Sequence, residues 1–467
     1  MNELINNKNY FLAIALGLAV LFSFFSFNPI IPVAIIALGI FSNKKIILSV
    51  IIISYLSFTS EFFENVRIYI TVFSSGYLLY LFLKEYGLQL KKFPKLPIEI
   101  LVFFALLVFA LLTSTIFSQN ISVSLLAFLR LLLFLFISYI FYSLLNDEGN
   151  IKVYIISLII VVMILGIPML IDLYSLGLKN YFMRILLADK FDLTTSRGYT
   201  KLTILFICIT LVTSMFFMKG FNKLSYKLGL IVLLSFNIII LVLANSRGGI
   251  LAGIISISFI LFMLKRSFFI KSFLGAVGLA VLLMIIVPEI NEAINLYLRR
   301  ETVSDREVYW QMGVDVINDH PIFGIGPDMF DKTFFNYAPS KTVNYFRSDI
   351  LQIGKPHPHN FFLYFMSENG LLGLITSISF FVLFFYFAFK TIGLTKNVNR
   401  DYYILSIAIT GIGIGLFFRS FIEISGYLLY GYITADLPFW LIFGILISIH
   451  QKYSTSFESH LISKKLI

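Results

Sequence analysis

Residues 98–117, IEILVFFALLVFALLTSTIF, decide the fold class, because Glu99 is their one charged side chain. A helix of about 20 apolar residues crosses a bilayer. Comparable runs occur on both sides of it, at 10–26, 29–42, 46–63, 66–86, 121–145, 151–176, 201–218, 228–244, 248–264, 272–288, 360–390, 402–419 and 434–450. The whole chain of 467 residues is 59% hydrophobic and 13% charged, which excludes a water-soluble globular protein. The alternating pattern of an outer-membrane barrel is absent. The expected fold is an all-α integral membrane protein with about 12–14 transmembrane helices. Residues 1–467 read as a single polytopic membrane domain, with no internal repeat and no Gly/Ser/Pro-rich linker. The first apolar run carries no small-residue cleavage site after it and reads as a retained span.

The net charge of +11 bears on topology rather than on nucleic acid, since no basic–aromatic module accompanies it. Basic residues cluster in alternate connections: Lys8; Lys44 and Lys45; Lys84, Lys91, Lys92 and Lys95; Lys152; Lys219, Lys223 and Lys227; Lys265, Arg266 and Lys271; Lys390, Lys396 and Arg400; Lys452, Lys464 and Lys465. The positive-inside rule places that set in the cytoplasm. Both termini then lie inside, as an even number of spans requires. The other face receives the loop 178–200, the Asn245–Gly249 turn and a long extracytoplasmic loop, 289–359. That loop carries Arg299, Arg300, Arg306, Lys332, Lys341, Arg347 and Lys355. Binding a multiply charged anion at the outer membrane surface would account for this basicity.

The loop ends in KPHPHNFFLYFMSENGLLG, Lys355–Gly373. Pro356 and Pro358 fix their own φ and push the preceding residues toward extended geometry, so Lys355–His359 reads as a stiff approach. Asn360 suits a helix cap. His357 and His359 therefore stand at the rim of a span, where a histidine is placed for proton transfer. The plainer alternative is a pair of interfacial residues that end a loop. Ser304-Asp305-Arg306-Glu307 has capping-box spacing and opens a surface helix that should stop before His320-Pro321. Arg306 sits in its first turn, where free amides and the dipole favour an anion. A surface salt bridge is the alternative. Asn245-Ser246-Arg247-Gly248-Gly249 is a tight turn with exposed amides and a guanidinium suited to phosphate. Snorkelling to head groups would also explain Arg247. Arg197 stands at the same face.

Arg130 lies about ten residues into its span and needs a partner or a polar cavity. Asp172, in the seventh span, is a candidate partner. Glu368 either faces the site or hydrogen-bonds the outer loop. No metal site is expected: the two histidines lack a nearby cysteine or carboxylate set, and Asp349 and Glu368 could join only by folding. The single cysteine, Cys208, forms no internal disulfide. No Walker motif points to nucleotide use, and no cofactor is expected.

Three motifs stand in order: Ser246-Arg247-Gly248-Gly249, then Arg306-x-x-x-Trp310 leading to Pro321-x-x-Gly324-x-Gly326, then His359-Asn360 followed by Glu368-x-Gly370. Together they resemble the bacterial O-antigen ligase/polymerase family, with motifs over about residues 195–390. The resemblance implies an inner-membrane glycosyltransferase that takes a glycan from an undecaprenyl-diphosphate carrier at the extracytoplasmic face. The acceptor would be another carrier-linked glycan (polymerase) or a lipid A-core sugar (ligase). By that similarity Arg247 and Arg306 match the arginines that hold the diphosphate, and His359 matches the histidine that acts on the acceptor. Arg197, His357, Asn360 and Glu368 are the expected substrate-binding residues around them. Chemistry agrees: arginines can stabilise a diphosphate leaving group without a metal, and a histidine base assists a neutral hydroxyl. The rival class is a transporter or flippase for a lipid-linked or anionic solute, suggested by the many spans and by Arg130. Such proteins place their polar site near the midplane and often show inverted repeats. Here the polar residues gather at one face.

Overall fold

A computed structural model of the chain describes residues 44–57, 64–145, 148–177, 199–244, 246–271, 273–275, 278, 305–337, 357–430 and 432–465. Every regular element among them is helical. In chain order these are α1 (Lys44–Ser57), α2 (Glu64–Tyr86), α3 (Ile98–Ile116), α4 (Ile121–Ser143), α5 (Glu148–Leu176), α6 (Tyr199–Met215), α7 (Leu224–Leu243), α8 (Arg247–Leu264), α9 (Asp305–Asp319), α10 (Phe330–Tyr337), α11 (Phe361–Thr395), α12 (Arg400–Arg419) and α13 (Ile433–Lys465), besides two single-turn 3₁₀ segments. Seven helices among the described residues are long and apolar enough to cross a membrane: those at 98–116, 121–143, 149–175, 224–243, 361–395, 400–419 and 433–454. Thr203–Met215 and Gly248–Leu264 are shorter apolar helices. The protein is an all-α integral membrane protein. The expected spans 10–26 and 29–42, and nearly all of 272–288, lie outside the described residues.

The helix starts are set by polar caps at otherwise apolar segments. Asn120, Ser246, Asn360 and Asn399 each accept a backbone N–H from the first turn that follows, which satisfies one of the orphan donors there. The tightest seam joins α8 and α12. A Cβ on Gly411 would stand 2.9 Å from Ser256 O, and one on Gly415 only 2.5 Å from Ala252 O. Small residues at four-residue spacing on both helices let the backbones meet, the packing that substitutes for hydrophobic drive inside lipid.

One end of the bundle carries the irregular backbone. Helix α11 breaks at Gly370, whose φ of 62° and ψ of −154° leave the helical region. The break frees carbonyls and amides at a depth where water is scarce, and unpaired backbone there is costly. The segment Pro321–Gly326 supplies the partners. Ile325 N–H donates to Ser367 O (3.2 Å), Gly326 N–H to Glu368 O (2.9 Å), and Leu371 N–H to Pro321 O (2.9 Å). The Ser114 hydroxyl also donates to Glu368 O (2.8 Å). Such close approach requires glycine: a Cβ on Gly324 would stand 2.3 Å from the Glu368 carbonyl, and one on Gly370 2.1 Å from Ile322 O. The connection between α9 and α10 thus sinks between α3, α4 and α11 instead of only covering them.

Its far end is held by two acids. Glu368, wholly buried, accepts from Asp328 N–H and Phe330 N–H, one on each carboxyl oxygen, both at 2.9 Å. Arg130 donates to Asp328 Oδ2 at 2.6 Å and lies over the Tyr432 ring. Asp328 is therefore a partner of Arg130; the side chain of Asp172 lies outside the described residues. Depth along α4 points to a partner on a neighbouring span, whereas the sunken loop brings its own acid to that level. Glu368 likewise receives the backbone of the connection between α9 and α10, the second of its two expected roles.

Candidate functional site

The site lies at the end of the bundle where α4, α8, α9 and α11 begin and α12 ends. The approach His357–Asn360 is held at several points. Pro358 is buried. The Asn360 side chain caps α11 by accepting from Leu363 N–H (3.0 Å). Phe361 N–H donates to Ser420 O at the end of α12 (2.8 Å). His359 takes φ = 48°, a left-handed conformation that a non-glycine residue adopts only when its surroundings impose it. What imposes it is visible: His359 N–H donates to His357 Nδ1 (3.3 Å), and the two rings lie 4.0 Å apart between centroids.

Across from His359 stands Glu423, in the connection between α12 and α13. Its Oε2 is 3.8 Å from His359 Nδ1, an ion-pair separation longer than a hydrogen bond. Its Oε1 accepts from Ile424 N–H (2.9 Å). That connection is firmly built. Arg419, only 2% exposed, donates through one terminal nitrogen to Ser425 O (2.7 Å) and Thr203 Oγ1 (3.1 Å), and through the other to Ser425 Oγ (3.2 Å). Tyr427 OH donates to Leu416 O, and Trp440 Nε1 donates to Tyr427 O, both at 2.7 Å. Asp436 accepts from Gly426 N–H and Leu429 N–H.

Helix α9 covers the histidines. Tyr309, Met312 and Val316 form its buried face, while Trp310 and Val314 are exposed. The Tyr309 ring is 6.1 Å from that of His359. Arg306, in the first turn of α9, is close enough to His357 to disfavour charge on that ring. The start of α8 closes the other side: a Cβ on Gly248 would stand 3.7 Å from the Arg419 side chain and 3.2 Å from that of Ile422. The structure thus gathers the Arg306 turn, His357, His359, Asn360 and the first turn of α8 at one end of the bundle. Only the backbone of Arg247 is described, and Arg197 lies outside the described residues.

Electrostatics keeps His357 uncharged. Burial, the nearby His359 and Arg306 together push the His357 imidazole down to about 3, against the opposing pull of Glu423. His357 is a neutral acceptor for a backbone amide. Burial works against charge on Glu423, yet His359, Arg419 and His357 hold its carboxyl down at about 2. The ring nitrogens and carboxylate of His357, His359 and Glu423 lie within 4.8 Å of one another, so these residues could share a cation. His357 Nδ1 already receives the His359 amide, which leaves its Nε2 as the atom that could face such a cation.

These shifts set a pH dependence of stability. In the unfolded chain His357 takes a proton below about 6.5, whereas the folded site refuses it down to about 3. Folding must expel a proton throughout that window, so stability falls as pH falls. Glu423 steepens the loss between its ordinary value of 4.5 and about 2. The thermal midpoint in detergent is expected to drop between pH 7 and pH 4. His357→Asn, which keeps an acceptor but gains no proton, should drop less. Parallel curves for the two proteins would remove His357 from this account.

Glu423 and Arg419 were missed in the sequence. The signal was there in principle: two ionisable residues in the apolar stretch RSFIEISGY, at the end of a span whose other end holds the basic cluster.

Fold and site together define a multi-pass membrane protein with a basic and imidazole-bearing cluster at one end of its helices. A family model described as O-antigen ligase matches residues 229–378, a segment that includes the α8 turn, Arg306, both histidines and Glu368. Over that segment, about a third of the chain, the protein is similar to the O-antigen ligase family. Over 148 residues it is 25% identical to the exopolysaccharide production protein ExoQ of Rhizobium meliloti (strain 1021). That match covers 32% of each chain, so this chain spans about a third of the length of that relative. Arg419 and Glu423 fall outside the segment that the family model matches.

Proposed function

We propose that the protein transfers a glycan from an undecaprenyl-diphosphate carrier to a sugar hydroxyl at the extracytoplasmic face of the bacterial inner membrane. Both termini are then cytoplasmic. The observation that carries this reading is the meeting of the Arg306 turn, the α8 turn and His359 at one end of the bundle. Arg306 and Arg247 take the diphosphate, with Arg197 as a further cation for it, and His359 takes the acceptor proton. No metal enters this mechanism. The long lipid of the donor explains why such a site stands at the end of membrane helices. Between the two outcomes of the family, polymerisation of a surface polysaccharide is favoured over ligation to lipid A-core, because the similar Rhizobium protein is named for exopolysaccharide production. Transport is disfavoured because Arg130, the residue that suggests it, is committed to Asp328.

Arg306→Lys tests the clamp, since lysine keeps the charge and loses the planar fork. Losing one charge-assisted hydrogen bond in the transition state costs about 1.5–3 kcal/mol, or about tenfold or more in rate. Surface polymer should fall accordingly in cells that make the variant at the normal level. Full-length polymer in normal amount would end this assignment.

A further inference from the structure

The geometry points to Glu423 as a positioning residue for His359: it turns Nδ1 toward its carboxylate, leaves Nε2 for the acceptor hydroxyl, and stabilises the imidazolium formed during transfer. This rests on the function proposed above.

Three observations support it. First, the carboxylate is aimed. One oxygen is tied to the next residue's amide, and the other is directed at His359 Nδ1 from 3.8 Å. Glu423 is 6% exposed, so its charge acts with little screening. Second, the two partners are fixed to each other through backbone. The connection that carries Glu423 starts at Ser420, whose carbonyl holds the first amide of α11, and Arg419 clamps it from behind. Third, the His359 backbone is locked in an unfavourable φ by His357, so the ring has little freedom to turn away. The charged and titratable groups around His359 are Arg306 and Tyr309 from α9, His357 from the approach, and Glu423 with Arg419 behind it. Within this set Glu423 is the anion.

The transfer balances as follows. The acceptor O–H gives its proton to His359 Nε2 while its oxygen bonds the anomeric carbon of the donor sugar. The bond from that carbon to the diphosphate oxygen breaks, and its electron pair leaves on the diphosphate. Glu423 remains ionised and faces the new imidazolium. A base so oriented keeps its tautomer, and losing that orientation costs orders of magnitude in rate.

The test uses full-length protein in nanodiscs, with undecaprenyl-diphosphate-linked repeat units extracted from a strain lacking this gene. Glu423→Gln keeps shape and removes charge; turnover should fall about 10²-fold with donor KM little changed. Glu423→Asp should recover a substantial part. In a His359→Ala background, Glu423→Gln should add almost nothing, because the two residues act as a unit. Independently of activity, ¹⁵N-histidine spectra should show a ring protonated on Nδ1 that is lost in Glu423→Gln. Wild-type turnover in Glu423→Gln, an equal loss in Asp and Gln with a lowered melting point, or a full additional loss in the His359→Ala background would each overturn the role. So would activity that a chelator abolishes and a divalent cation restores, which would make the cluster a metal site. Wild-type protein that forms no glycosidic bond from the extracted carrier sugars would instead sink the proposed function. In that case the histidine spectra still decide the Glu423–His359 pairing.

Discussion

His359→Ala is expected to abolish surface polymer while leaving the protein in the membrane at its normal level. A positioned general base contributes about 10²–10⁴-fold, and no neighbour can replace it. His357 is held neutral, with Nδ1 committed to the His359 amide, so it cannot rotate into the role without releasing the backbone that orients the site. The companion variant His357→Asn should therefore retain substantial activity, since asparagine can still accept that amide. The measurement is polymer length and amount on a gel of extracted glycolipids, with protein level followed by an epitope tag. Full-length polymer from His359→Ala would remove the base from the mechanism. Loss in His357→Asn with retention in His359→Ala would exchange the two roles.

Glu368→Ala is expected to damage the fold and not the chemistry directly. Both carboxyl oxygens receive buried backbone amides, those of Asp328 and Phe330. Removing the acceptor leaves two donors without partners, at about 1–3 kcal/mol each, in a loop already seated on a broken helix. Glu368→Gln retains one acceptor oxygen and should be milder. The expected readout is a lower thermal midpoint and reduced membrane level for Glu368→Ala, with Glu368→Gln between it and wild type. If Glu368→Ala kept its midpoint but lost turnover, the carboxyl would belong to the substrate after all.

The two variants also mark what the sequence could say. The spans were legible because apolar runs without charges have one physical outcome in a bilayer, and the boundaries of α3, α4, α5 and α12 follow the composition closely. The histidine approach was legible because proline restricts backbone locally. The partners were not. Glu423 is 64 residues from His359 in sequence, and no local pattern couples a short connection between two spans to the entry of an earlier one. Arg130 is a related case. Depth along a helix limits the partners to residues at that depth, but those residues need not belong to spans. Non-helical backbone can reach the same depth where a broken helix offers hydrogen bonds to receive it, as the Gly370 break does for Pro321–Gly326.

The α8–α12 seam has a consequence for how a lipid-borne substrate gets in and out. Glycine against alanine and serine leaves no slack between these helices, so sliding or tilting one past the other would force backbone atoms into collision. Under the proposed function, the α8 turn and the end of α12 then ride together through each round of transfer, keeping the diphosphate side and the imidazole side at constant spacing. Admission of a new carrier, and release of the spent one, falls to the elements lying over that frame, with α9 the foremost of them.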